Sequence, residues 1–93
     1  SIELPSTNQL ERFWCANNQI TKLDLSPTPF IMQLLCSKNQ LTRLDLSVVS
    51  ELRELNCLNN ELRELDISPL SKLAHLHYDK DKTRLIQRPD QNF

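Results

Sequence analysis

The sequence predicts a mostly β fold: a parallel solenoid of about 3.5–4 coils with short strands and little or no helix. Three observations predict it. Cys15, Cys36 and Cys57, the chain's three cysteines, each lie 21 residues after the last, and a fixed period of this size is the signature of stacked repeats. Apolar columns keep the same step: Leu10, Ile31, Leu52 and Leu73; Phe13, Leu34, Leu55 and Leu76; Ile20, Leu41 and Leu62; Leu23, Leu44, Leu65 and Ile86; Leu25, Leu46 and Ile67. Within each unit the apolar residues alternate with others, the period of a strand and not of a helix.

Taken in chain order, Ile2-Glu3-Leu4 matches Leu23-Asp24-Leu25, so the sequence opens in mid-repeat. The triplets around Phe13, Leu34, Leu55 and Leu76 predict one short strand per coil. The nested Leu-Asp-Leu triplets predict a second strand on the opposite wall, with coils stacked at about 4.8 Å. Pro27 and Pro29, with Pro69 aligned to Pro27, punctuate the arc between coils and favour turn or extended backbone there. Asn18, Asn39 and Asn60 share a column that Asp81 continues. An inward amide both donates and accepts, so these residues are expected to satisfy backbone groups at the bend after each strand. Asp81, Thr83 in place of Leu and Arg88 in place of Leu or Ile mark a pattern decaying into a cap. The repeat domain is read as residues 1–88, with a partial first coil over 1–9 and coils starting near 10, 31, 52 and 73. Residues 89–93 form a polar tail expected to fray.

Composition narrows the function. The 93 residues carry a formal charge of -1 and 25% charged residues, without the basic excess of a nucleic-acid or anionic-membrane binder. No apolar run approaches the roughly 20 residues of a membrane span, and the first residues lack the build of a signal peptide. Glycine is absent, which removes the Gly-rich phosphate loops and leaves other residues to make the turns. Ile2, Leu4, Leu10 and Phe13 would leave apolar surface open on the first coil. That points to a longer parent chain, or to end-to-end pairing with another molecule at this edge.

The unit L-x-x-L-x-C-x-x-N-x-L-T-x-L-D-L-S, clearest from Ile31 to Ser47, resembles a leucine-rich repeat with Cys at the third apolar place, over essentially residues 2–86. The 21-residue length with a nested Leu-x-x-Leu-Asp-Leu is similar to the short bacterial repeats called IRREKO. The resemblance implies a non-enzymatic protein-interaction module. It also implies a surface, secreted or host-directed bacterial setting, against which the retained thiols lean toward a reducing compartment.

The chemistry-bearing residues read as follows. An odd cysteine count with 21-residue spacing is neither a complete disulfide framework nor a paired zinc motif, so Cys15, Cys36 and Cys57 are expected in the core, structural like Asn18, Asn39 and Asn60. Asp24, Asp45 and Asp66 form a like-charge column, expected to bond Ser hydroxyls or backbone and to be screened by Lys22, Arg43 and Arg63. His75, His77 and Asp79 share one strand face, a poor metal shell on a flat wall. No cofactor or metal is expected. The first wall's outward positions are the candidate binding surface: Trp14, Leu35, Glu54, Asn56, His75 and His77, with the Trp14–Leu35 apolar pair rimmed by Arg12, Gln33 and Glu54. The partner expected is another protein. The rival reading is a structural spacer or cap segment of a longer repeat protein.

Overall fold

A computed structural model of the chain describes residues 12–26 and 29–93. The partial coil over 1–9, the end-to-end pairing expected there, and the apolar Ile2, Leu4 and Leu10 lie outside the described residues, as does Pro27. Six three-residue strands are formed: β1 (Arg12–Trp14), β2 (Gln33–Leu35), β3 (Glu54–Asn56), β4 (Glu64–Asp66), β5 (His75–His77) and β6 (Arg84–Ile86). There is no helix among the described residues. β1, β2, β3 and β5 make one parallel sheet in that order, and β4 and β6 make a second. In the first sheet the register is the sequence period itself: Phe13 lies beside Leu34, Leu34 beside Leu55 and Leu55 beside Leu76.

Why these residues coil is visible in what they bury. The alternating positions turn Leu34 and Leu55 fully inward, and Cys36, Leu41, Leu46, Leu52, Leu62 and Ile67 join them at 2% exposure or less. Removing this apolar surface from water is the main driving term of the fold. Val49 and Leu70, one period apart in the irregular arc, are equally buried. They are pinned by tight turns in which Val49 N–H donates to Leu46 O and Leu70 N–H to Ile67 O. The arc therefore carries a core column of its own, which its variable composition conceals.

Two features of the second wall depart from the sequence expectation. A strand was expected at every Leu-Asp-Leu triplet, but β4 and β6 alone form a ladder among the described residues, while the 43–45 segment is not a strand. The outward charges contribute to this. β4 sets Glu64 opposite Arg84, 3.8 Å apart, whereas the earlier coils would set Lys22 opposite Arg43 and stack Asp24, Asp45 and Asp66. Like charges facing each other across a ladder are destabilising. The second departure is register. Leu65 lies beside Leu85 and not beside Ile86, because the turn from β5 to β6 is one residue shorter than that from β3 to β4. Lys82 and Thr83 N–H both donate to Asp79 O, closing this tighter turn. Thr83 stands buried at the inward place of Leu62 and donates its hydroxyl to Leu62 O at 2.7 Å, so the polar substitution is satisfied.

The C-terminal residues are tied to the last coils through Gln91. Gln91 Nε2–H₂ donates to Ile67 O (2.8 Å) and Leu70 O (3.1 Å), and its Oε1 accepts from Arg88 N–H. A single glutamine thus serves carbonyls that a further coil would otherwise reach.

Without glycine, the left-handed positions fall to Asn17 (φ 63°), Lys38 (φ 57°) and Asn59 (φ 60°), two residues after each cysteine. Asparagine enters this region at little cost, whereas lysine has no local side-chain bond to offset the crowding of its Cβ. Lys38→Asn is expected to raise stability by roughly 0.5–1 kcal/mol, read as an upward shift of the urea midpoint. An unchanged or lower midpoint counts against strain at this turn.

Candidate functional site

Outward residues of the first sheet fall into vertical columns because the register repeats coil by coil. One column is Arg12, Gln33, Glu54 and His75, and its neighbour is Trp14, Leu35, Asn56 and His77. All six residues expected to bind, Trp14, Leu35, Glu54, Asn56, His75 and His77, are brought onto this one wall. Trp14 is 62% exposed, while Leu35 beside it is half-buried.

The wall is internally bonded. Trp14 Nε1–H donates to Gln33 Oε1 at 2.9 Å, and Gln33 Nε2–H donates to Glu54 Oε1 at 2.7 Å. This chain crosses three coils and fixes the indole on the wall, leaving its ring faces free of hydrogen-bond duty. Gln33, read from sequence only as part of the rim, is the link. Its position one period before Glu54 was the available signal. Asn56 turns its Oδ1 to Leu58 N–H at 3.2 Å and so serves its own loop. His75 and His77 are exposed below Glu54 and Asn56.

Behind the wall stand the two structural columns. Asn39 Nδ2–H₂ donates to Cys36 O (2.9 Å) in its own coil and to Cys15 O (3.0 Å) in the coil before, while Oδ1 accepts from Ile20 N–H. Asn60 repeats this with Cys57 O, Cys36 O and Leu41 N–H. Among the described residues Asn18 makes only local bonds, to Cys15 O and Ala16 O. Asp81 does not continue the column, being exposed. Asp79, in a neighbouring column, accepts through its carboxylate from Asn59 N–H (2.9 Å) and Asn60 N–H (3.3 Å), in the place where Ser37 O and Leu58 O accept from Asn17 and Lys38 N–H in the earlier coils.

Cys15, Cys36 and Cys57 are free thiols, each at 5% exposure or less. Burial pushes Cys15 up to about 11 and Cys57 up to about 12, and drives Cys36, between the other two, higher still. A thiol held protonated is a poor nucleophile and a poor metal ligand.

On the second wall, Asp24, Asp45 and Asp66 are held below the usual carboxylate range by hydrogen bonds from Ser26, Ser47 and Ser68. Asp45 and Asp66 each accept from a serine N–H at 3.0 Å and from its hydroxyl at 2.6 Å. The expected screening by Lys22, Arg43 and Arg63 does not take the form of ion pairs: among the described residues none of the three pairs with an acid.

The repeat, the parallel stacking and the asparagine and cysteine columns define a leucine-rich-repeat-like β-solenoid of bacterial type. No family model and no curated protein matches the sequence. Among solved structures the chain is similar to the functional domain of InlJ from Listeria monocytogenes, described as including a cysteine ladder. The TM-score is 0.57 and the identity 27%, over 85% of this chain. The chain spans 22% of the length of that domain. Among the described residues no helix is long and apolar enough to cross a membrane.

Proposed function

We propose that the chain is a protein-interaction module that binds through its first wall. Trp14, Leu35 and Glu54 form the centre of the contact, flanked by Asn56, His75 and His77. The observation that carries this reading is Trp14, the largest exposed apolar side chain among the described residues, held in place by Gln33 and Glu54. A large aromatic group fixed beforehand loses little entropy on binding, the property of interface hot spots. An open wall excludes no water around a reacting group, which argues against catalysis there. Leucine-rich-repeat solenoids commonly bind proteins, and the Listeria neighbour supports a bacterial surface or secreted setting. Buried thiols do not oppose that setting, because burial shields them from oxidants.

The test compares wild type with Trp14→Ala in capture from lysate of the source organism, after circular dichroism and urea unfolding show that both fold alike. A partner retained by wild type and weakened at least about 30-fold by the substitution is the expected result. Equal retention by both proteins moves the contact off this wall.

A further inference from the structure

Two hydrogen bonds on the first wall run in series through one side chain. Gln33 accepts from Trp14 Nε1–H through Oε1 at 2.9 Å and donates from Nε2 to Glu54 Oε1 at 2.7 Å. An indole nitrogen only donates and an ionised carboxylate only accepts. Between them a primary amide has one workable orientation, since the flipped amide would set donor against donor at Trp14 and oxygen against oxygen at Glu54. The order of the three residues therefore fixes the direction of the amide. It does so across coils, because Trp14 lies on β1, Gln33 on β2 and Glu54 on β3. Arg12 and His75 stand beside Gln33 and Glu54 in the same column. Among the described residues neither they nor Glu54 enters an ion pair, so no cation turns the carboxylate away from the amide.

We propose that Glu54 is a positioning residue for Trp14 that acts through Gln33: the carboxylate sets the amide, and the amide sets the indole. Strength runs in the same direction. A glutamine loses much rotamer freedom when it is held, and one neutral bond on an open surface offsets little of that loss. A bond to a charged acceptor is about twice as strong as a neutral one. The Glu54 end is therefore what holds Gln33, and Gln33 once held offers Trp14 a stationary acceptor. The Trp14 N–H is thereby occupied. The wall then offers a partner the indole faces and Leu35, an anchor for an apolar or aromatic side chain and not for a hydrogen-bond acceptor. This role rests on the first wall being the contact surface, as proposed above, whereas the relay itself is a property of the free chain.

The chain holds one tryptophan, so its indole N–H gives a single NMR cross-peak and its fluorescence a single anisotropy, both read on the chain alone. Gln33→Met keeps the length of the side chain and removes both bonds. It is expected to speed exchange of the indole N–H with water about fivefold and to lower the anisotropy. Glu54→Lys is the decisive variant, because its ammonium draws the amide oxygen to itself and turns Nε2 toward the indole. It should speed the exchange by a similar factor. In the Gln33→Met background Glu54→Lys should add nothing, the mark of one residue acting through another. Glu54→Gln, which can still accept, should lie closer to wild type than Glu54→Lys does. Both positions face outward, so the fold is kept, as circular dichroism checks. An indole unmoved by Gln33→Met or by Glu54→Lys overturns the proposal. So does an equal response to Glu54→Lys with and without Gln33, or a Glu54→Gln rate as fast as that of Glu54→Lys. No partner enters these measurements. A failed relay therefore leaves the capture with Trp14→Ala to decide the contact, and a failed capture leaves the relay standing.

Discussion

Asn60→Ala is expected to lower the stability of the chain by about 3 kcal/mol or more, the largest effect of any single polar substitution among the described residues. Asn60 is fully buried. Its amide serves Cys57 O and Leu58 O in its own coil and Cys36 O in the coil before, and its oxygen serves Leu41 N–H. Truncation leaves Cys36 O with Asn39 Nδ2–H and Leu58 O with Lys38 N–H, but it strips Cys57 O and Leu41 N–H of this partner in a space that water does not reach, and each orphaned buried group costs roughly 1–3 kcal/mol. The loss also falls on the interface between coils, where repeat arrays keep their cooperativity. Asn39, at 7% exposure and with the same bonds one coil earlier, should cost somewhat less. Asn18, exposed and bonded only locally among the described residues, should cost under about 1 kcal/mol. Urea unfolding of the three alanine variants checks the gradient. Equal costs at all three positions would show that the amides are not what fastens coil to coil.

This gradient marks the boundary of what the sequence discloses. Spacing alone places Asn18, Asn39 and Asn60 in one column. It does not say which members of the column bond across to a neighbouring coil. The first sheet is legible because Cys15, Cys36 and Cys57 fix a period that the flanking triplets obey without exception. The second wall is less so. Leu23-Asp24-Leu25 and Leu44-Asp45-Leu46 alternate as a strand does, but pairing is a property of neighbouring coils, and Lys22 against Arg43 works against it. The last coil misleads for another reason. Leu85 and Ile86 are both apolar, so a column can be drawn through either, and the shift of one residue is settled by the Asp79–Thr83 turn. Gln33 and Gln91 show the remaining difficulty. Each bridges atoms that lie 19 or more residues away, and no local pattern distinguishes a bridging glutamine from a solvated one. Of the candidate surface, the columns are readable and the hydrogen-bonded chain from Trp14 to Glu54 is not.

The thiol column predicts an alkaline limit to stability. Cys15 is raised to about 11 and Cys57 to about 12 from an ordinary 9.0, with burial as the first cause at both, and Cys36 rises for the same reason plus the proximity of the other two. A group whose folded pKa lies above its unfolded value favours the folded state fully below the unfolded pKa. That contribution is lost as pH climbs toward the folded value. The window here therefore opens near 9 and runs through about 11 for Cys15 and about 12 for Cys57. Unfolding frees the thiols to ionise, whereas the folded chain must hold them neutral in an apolar stack, so each coil boundary adds to the same alkaline slope. Urea midpoints are expected to hold from about pH 7 to 8.5 and to fall steeply by about pH 10.5. The Cys15→Ala, Cys36→Ala, Cys57→Ala triple variant isolates the thiols, and its midpoint should fall much less over the same interval. A wild-type midpoint that is flat to about pH 10.5, or a triple variant with the same slope, would mean that the buried sulfurs are not what limits the fold in base.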